Sequence, residues 1–291
     1  MTAELEISHS GEFIGHLIDE AADGWAFVYT PRFLESARIN KTLSLNYPPR
    51  ESTYRGDDVA ALFRNLLPEG DIRLQLAHKI GISEGNDFGL LGAIGGDCPG
   101  ALTVGPPGGR SFTESAVRAL TERDLRNVIA ALPSHPLLSE VEGARFTLPG
   151  EHQKIPVRVV SDQIALTFGN TLSSHIAKPA KRGLRESVMN EGFCLDLASE
   201  LDLATGGATV RHGAVTVLLV ERLDREQRDG DWVPIHMEDL CQLMGVPPAQ
   251  KYEREGGLGA VDCVNCIKRY SSVPAADMRA FVRWLGFCFL V

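Results

Sequence analysis

The chain has 291 residues, of which 44% are hydrophobic and 23% charged, as in a globular protein long enough for two domains. The net charge of −9 argues against a nucleic-acid binder that works by charge alone, although a partner protein could supply a basic surface. The start of the sequence has no basic segment followed by an apolar one, and no stretch approaches the ~20 apolar residues of a membrane helix. With six cysteines and no secretory signal, we expect reduced thiols in a cytoplasmic protein.

The first part of the chain predicts strands followed by helices. The runs EFIGHLID and GWAFVYT are of strand length and are split by a turn. An apolar stripe then predicts a helix, which Asp57 or Asp58 can cap, and a second helix that resumes at Ile72 and ends at Gly81. We place a domain boundary at the Pro/Gly cluster of residues 105–109.

The second part returns to strands before it ends in helices. Thr121 and Asp124 predict a capping box for a helix that continues to Leu132. From residue 144, three strand-like runs precede the helix SVMNEGFCLDLASEL, two further strands follow, and the chain from HMEDLCQLMGV onward is helical. A strand-rich lobe with one helix, followed by a helical lobe, is the order expected of a bilobed nucleotide-dependent phosphotransferase.

Three features of this second part fit phosphotransfer. The turn around Gly150 could present backbone N–H groups to phosphates, although most such turns only join strands. Lys178 ends a strand and could neutralise nucleotide phosphates, although a lysine there is commonly solvent-facing. The strand that ends at Glu221 could lead into an adenine-binding hinge or simply into a charged turn.

The pair Cys263 and Cys266 offers an alternative chemistry. A CxxC motif can be a redox pair or half of a zinc site. A structural zinc site usually needs a second such pair, and the other four cysteines are isolated. The surrounding apolar spacing also predicts an ordinary helix, which is the interpretation that we favour.

Several motifs, in order, resemble the HipA family, the toxin kinases of bacterial type II toxin–antitoxin systems. The resemblance runs from about residue 10 to the last residue. It is carried by FRNLLPEGDIRLQLA, DFGLLGAIGGDCPGAL, LPGEHQKIPV, SSHIAKPA, NEGFCLDLA, VERLDR and HMEDLCQLMGVPPAQKYE.

The resemblance implies an α+β fold with two parts. Residues 1–105 correspond to a small α+β amino-terminal subdomain that contacts the antitoxin. Residues 106–291 correspond to a bilobed core similar to protein and phosphoinositide kinases, with a strand-rich lobe and part of a helical lobe.

The resemblance also assigns roles to single residues. The phosphate-facing loop would hold Gly150, Glu151, His152 and Lys154; the ATP-contacting pair would be Lys178 and Glu191; the adenine-binding hinge would be Glu221, Arg222 and Leu223. Thr147 stands where family members often carry a serine that can be autophosphorylated. His152 and Leu223 depart from a glutamine and a phenylalanine that are common in the family, and the second change removes aromatic surface next to adenine.

The family's catalytic loop follows a helix that resembles RWLGFCFLV, residues 283–291. The resemblance therefore implies that the aspartate base and the Mg²⁺ ligands lie beyond this sequence. We expect a carboxy-terminally truncated kinase without activity, and with uncovered apolar side chains on its last helix.

The expected function follows from the same resemblance. The intact relative would transfer the γ-phosphate of ATP, with Mg²⁺, to a serine or threonine of a protein, an aminoacyl-tRNA synthetase in the known target class. Its partner would be a helix-turn-helix antitoxin of the HipB type, through which it reaches DNA indirectly. The alternative is a non-catalytic remnant that only binds the antitoxin.

Overall fold

A computed structural model describes residues 3–21, 24–36, 41–108, 116–136, 146–169, 171–203 and 205–291. The elements before residue 109 are β1 (Ala3–His9), β2 (Glu12–Asp19), β3 (Trp25–Tyr29), α1 (Pro31–Glu35), β4 (Tyr54–Arg55), α2 (Asp57–Arg64), α3 (Gly70–Ile80), α4 (Asp87–Ile94) and β5 (Leu102–Gly105). They are followed by β6 (Ala116–Ala119), α5 (Glu122–Ala131), β7 (Ile155–Val160), β8 (Gln163–Phe168), β9 (His175–Pro179), α6 (Ser187–Glu200), β10 (Ala208–Arg211), β11 (Val217–Glu221), β12 (Arg225–Arg228), β13 (Asp231–Pro234), α7 (Leu240–Met244), α8 (Ala260–Tyr270) and α9 (Pro274–Leu290).

The first elements form a unit around a five-stranded sheet of order β4-β3-β2-β1-β5. Its strand pairs are antiparallel, and alternate side chains of β1, β2 and β3 enter a core with Phe63, Leu62 and Leu91 of the helices. The cap predicted for α2 is wrong. Gly56 is the N-cap and makes no side-chain cap hydrogen bond, while Asp57 and Asp58 lie in the first turn, where their charges favour the helix dipole.

The second unit is built on a six-stranded sheet of order β10-β11-β9-β7-β8-β6. The capping box of Thr121 and Asp124 is present at α5, and α6 packs against β10 and β11. The residues of α6 that are buried are Val188, Gly192 and Ala198, whereas the apolar Phe193 points into solvent. This sheet begins at β6, after the Pro/Gly cluster of residues 105–109, whose last residue lies outside the described residues.

The last part of the chain is mostly helical, as predicted, with 3-10 turns at Pro248–Gln250 and Glu253–Glu255. Helix α7 packs against α2 of the first unit, and α8 packs against α9. No residue of α9 is buried, and Phe289 and Leu290 are almost fully exposed. Within the described ranges, no helix has both the length and the apolar character needed to cross a membrane.

Candidate functional site

A cavity of about 860 Å³ lies between β9, the amino-terminal half of α6 and the segment that precedes β7. Its lining includes His152, Lys154, Lys178, Glu191 and Leu218. The structure therefore brings together four of the predicted site residues, two of them lysines. A cavity of this size accommodates a small-molecule ligand.

Lys178 is positioned by the centre of the six-stranded sheet. It lies on β9, which is hydrogen-bonded to β7 on one side and to β11 on the other, and it is directly opposite Leu218. Its ammonium donates a hydrogen bond to Glu191 Oε1 of α6 at 2.5 Å, the partner that the resemblance implied. Because both side chains remain partly exposed, the pair orients the lysine more than it stabilises the fold.

Gly192 explains how α6 comes close enough to present Glu191. A Cβ atom at this position would lie 2.8 Å from Val210 Cγ2 and 3.4 Å from Leu218 Cδ1. The glycine lets the helix rest against β10 and β11, and this contact fixes the position of the neighbouring Glu191. A side chain here would push the helix, and with it the carboxylate, away from Lys178.

The loop before β7 turns at Gly150, whose φ of +98° lies in the region that favours glycine. It forms an isolated bridge with Pro68 of the first unit. The ammonium of Lys154 donates a hydrogen bond back to the carbonyl oxygen of Pro149. This hydrogen bond links the two ends of the loop of residues 149–154.

The ammonium of Lys154 has no counter-ion among the described residues. Burial, together with the nearby charge of Lys178, lowers the pKa of Lys154 to about 8. Glu69 and Glu191 lie near enough to oppose this shift, but neither pairs with it. A half-buried cation beside a second cation favours the binding of an anion in the cavity.

Thr147 is fully buried, and its hydroxyl has no hydrogen-bond partner within the described part of the chain. Its N–H donates to the carbonyl oxygen of Asp97 at 3.3 Å. The predicted phosphoryl acceptor is therefore closed off from the cavity in this conformation. The segment would have to leave its place before the hydroxyl could react.

The predicted hinge lies at the far end of β11 from Leu218 and does not line the cavity. The Glu221 N–H donates to Gly207 O at 2.7 Å, and the Arg222 N–H donates to Ser174 O at 3.0 Å. The side chain of Leu223 is 61% exposed. Among the described residues, nothing pairs with the Leu223 N–H, which leaves it available to a ligand.

The side chain of Arg222, which the resemblance placed in the hinge, lies inside the protein. It is 2% exposed and belongs to a buried charge cluster of Asp97, Arg222, Asp224 and Arg225. Arg222 binds Asp224 Oδ2 at 2.7 Å and Asp97 Oδ2 at 3.2 Å. These carboxylates hold the pKa of Arg222 above its ordinary value despite burial. The local pattern around Arg222 does not reveal the cluster, because Asp97 lies 125 residues away from Arg222 in the chain.

A second cavity, of about 580 Å³, lies on the other side of the Gly150 loop. Its lining includes Glu69, Gly70, Glu151 and Tyr252, and Glu69 pairs with Lys251 at 2.8 Å. Glu151 therefore faces this second cavity, whereas His152 and Lys154 face the first. The loop of residues 149–154 contributes to the walls of both.

The cysteine alternative has no ligand set in the described residues. Cys263 and Cys266 lie on α8, as the helical interpretation predicted, and Cys266 is buried. Burial raises the pKa of both thiols, so that they are poor thiolate ligands and nucleophiles. Within the described ranges, no three His, Cys, Asp or Glu side chains are grouped in a way that could hold a metal ion.

The chain is similar to known proteins along nearly its whole length. Residues 5–105 match the family model of the HipA N-terminal domain, and residues 146–291 match that of the HipA-like C-terminal domain. The chain is 33% identical over 282 residues to Y4mE of Sinorhizobium fredii, a kinase by name. The matched region covers 94% of this chain and 67% of that relative. The chain is 29% identical to the serine/threonine-protein kinase toxin HipA of Shewanella oneidensis, in a match that covers 89% of this chain and 59% of that relative.

A solved structure shows the same arrangement of elements. The Shewanella oneidensis complex of HipA, HipB and operator DNA matches with a TM-score of 0.77 and 27% identity, covering 97% of this chain and 68% of that one. The predicted α+β, bilobed kinase-like fold is therefore confirmed. The chain spans about two thirds or less of the length of these relatives.

Proposed function

This chain belongs to the HipA family of kinase toxins, and we propose that its 291 residues form the nucleotide-binding part of a serine/threonine protein kinase. The observation that carries the proposal is the convergence of Lys154 and Lys178 on one cavity. Lys154 has no carboxylate partner among the described residues, so an anion in the cavity would remove an electrostatic cost. ATP carries such an anion in its phosphates.

The residues that would hold ATP divide between its two ends. Lys178, oriented by Glu191, and Lys154 would bind phosphate oxygens as compact point charges. The Gly150 loop would place backbone N–H groups beside the same oxygens. At the other end, the N–H of Leu223 and its exposed side chain would contact adenine. In a full-length kinase of this family, bound ATP would supply the γ-phosphoryl group that a serine or threonine hydroxyl of the protein substrate accepts. An aminoacyl-tRNA synthetase is the target class that we propose.

The described residues do not build a Mg²⁺ site. Glu191 is held by Lys178, and no other acids are grouped with it as ligands in the described ranges. Three aspartates of the kinase-like core have other roles. Asp196 is exposed on α6, Asp224 lies between two arginines, and Asp239 caps α7 through the Gln242 N–H.

We therefore propose that this polypeptide binds ATP without transferring its phosphoryl group. Incubation with labelled ATP and Mg²⁺ should leave the protein and added substrates unlabelled. Transfer to Thr147 or to any protein would contradict the proposal.

Nucleotide binding itself is tested by calorimetric titration of the full chain with a non-hydrolysable ATP analogue. Lys178→Gln and Lys154→Gln should each weaken binding about tenfold or more, as expected for the loss of a charge-assisted phosphate contact. Lys268→Gln is the matched control, because Lys268 is exposed on α8 and does not line the cavity. Equal affinity of all four proteins, or no binding by the unaltered chain, would refute the proposed site.

A second candidate function is that of an antitoxin-binding module without catalysis. It is favoured by the five-stranded unit, since residues 5–105, which include most of β1 and all of β2 to β5, match the HipA N-terminal domain. The partner would be a helix-turn-helix antitoxin, as HipB accompanies HipA in the Shewanella complex. With a net charge of −9, this chain would leave most DNA phosphate contacts to that partner. Co-purification with an antitoxin, by a variant that no longer binds ATP, would separate the two functions.

A further inference from the structure

Asp97 lies in the loop after α4 and connects the first unit to the kinase-like core. Its Oδ2 accepts hydrogen bonds from Arg222 Nη1 at 3.2 Å and from Ser173 Oγ at 2.9 Å. Its Oδ1 accepts one from Arg225 Nη2. The Asp97 side chain and both arginines are at least nine-tenths buried, so these bonds are made away from water.

The backbone of the same residue holds the start of the Gly150 loop. The carbonyl oxygen of Asp97 accepts the N–H of Thr147, and Asp97 forms an isolated parallel bridge with Phe146. Phe146 and Thr147 are both buried, so this attachment is part of the packed interior. The position of Asp97 therefore sets where the loop leaves the interior on its way to Gly150 and Lys154.

The carboxylate of Asp97 holds the hinge in the same way. Arg222 lies between Glu221 and Leu223, and its N–H donates to the carbonyl oxygen of Ser174. Ser173, the residue before it, donates to the carboxylate of Asp97 and accepts a hydrogen bond from Arg222 Nη1. Asp97 is thus joined to both ends of the proposed nucleotide site, although it contacts neither the cavity nor the hinge surface.

We propose that Asp97 is a positioning residue for nucleotide binding, which fixes the distance between the adenine-binding hinge and the phosphate-binding loop. The inference rests on the proposed function, since it concerns the same nucleotide. The cluster contains two acids and two bases, so its charges balance only while both acids are present. Loss of the Asp97 charge would free the Asp97 side chain from Ser173 and both arginines, and with it the Asp97 carbonyl oxygen that holds Thr147.

Asp224 provides a matched control within the same cluster. It is equally buried and binds both arginines, and it also accepts the Gly100 N–H at 2.7 Å. The hydrogen bonds of its carboxylate are to Gly100, Arg222 and Arg225, and none of them is to residues 146–154. Asp224→Asn therefore disturbs the charge cluster and the hinge without a direct effect on the loop.

The experiment compares the full chain with its Asp97→Asn and Asp224→Asn variants. Amide hydrogen exchange is measured for residues 147–151, together with affinities for an ATP analogue and for inorganic triphosphate, a probe of the phosphate end alone. Asp97→Asn should speed exchange in this segment and weaken triphosphate binding about tenfold. Asp224→Asn should leave both properties near those of the unaltered chain, while ATP binding still falls through the hinge.

The outcomes are separable. If the unaltered chain binds no ATP analogue, the proposed function fails, whereas the exchange comparison still tests the link between Asp97 and the loop. If Asp97→Asn folds with unchanged exchange and triphosphate affinity, or if both variants change them equally, the positioning role is wrong. If Asp97→Asn does not fold, Ser173→Ala replaces it, since it removes one hydrogen bond to Asp97 Oδ2 and should shift exchange of residues 147–151 in the same direction. Unchanged exchange in Ser173→Ala would also overturn the role.

Discussion

The affinity for ATP should fall as the pH rises through the pKa of Lys154. This pKa is lowered to about 8 by burial first and by the charge of Lys178 second. Only the protonated ammonium attracts phosphate, so the apparent dissociation constant scales inversely with the protonated fraction. Between pH 7.5 and pH 9 that fraction falls from about three quarters to about one tenth, and we expect the dissociation constant to rise roughly eightfold.

The assay is calorimetric titration with a non-hydrolysable ATP analogue in matched buffers between pH 7.5 and pH 9. Lys154→Arg keeps its charge throughout this range and should bind with little pH dependence. Lys154→Met should bind the ATP analogue weakly at every pH, and its affinity should not depend on pH. Lys268→Gln should retain the slope of the unaltered chain, because Lys268 lies outside the cavity.

The same pKa predicts an opposite effect on stability. A lysine whose pKa is lower in the folded than in the unfolded state destabilises the fold below about pH 8, and this cost is lost as the pH rises towards the unfolded value. Lys154→Met should therefore raise the free energy of unfolding at pH 7 by roughly 1–3 kcal/mol, with a smaller gain near pH 10. An affinity for ATP that does not depend on pH in the unaltered chain, or a pH dependence that survives in Lys154→Met, would show that Lys154 is not the titrating cation.

Three further expectations concern the rest of the site. Glu191→Gln should reduce ATP affinity several-fold in a titration but change the free energy of unfolding by less than about 1 kcal/mol, because its pair with Lys178 is partly exposed; a large loss of stability would contradict this. Asp224→Ala should lower the free energy of unfolding by about 3–5 kcal/mol in urea, since it leaves buried arginines without a partner, and a change below about 1 kcal/mol would count against the cluster. Cys263→Ser should leave the metal content unchanged in elemental analysis, and bound zinc that disappears with this substitution would revive the cysteine site.

Local sequence patterns were sufficient for elements that are determined by their own residues. The capping box of Thr121 and Asp124, the Gly81 end of α3 and the helix that contains Cys263 depend on neighbours a few residues away, and each is present. The pairing of Lys178 with Glu191 came from the family resemblance, because nothing in the local pattern indicates that α6 turns this face to β9.

Long-range contacts account for what the sequence did not predict. The family resemblance placed Arg222 in the adenine-binding hinge but did not indicate its partner Asp97, which is 125 residues away. The ion pairs with Asp97 and Asp224 offset the cost of removing the Arg222 charge from water. Conversely, the apolar Phe193 of α6 is 64% exposed, because its neighbour Gly192 is the residue that makes the close contact with β10 and β11.

The loop of residues 149–154 separates the two cavities. Glu151 and Gly70 meet on one face, where a Cβ added to Gly70 would lie 3.2 Å from Glu151 Cγ, and Lys154 lies on the other. Any movement of this loop enlarges one cavity and narrows the other. A compound bound beside Tyr252 that moved the loop would therefore change the space available to phosphates in the first cavity without contacting them. Ligands of the two cavities would then compete in binding assays although they contact different residues.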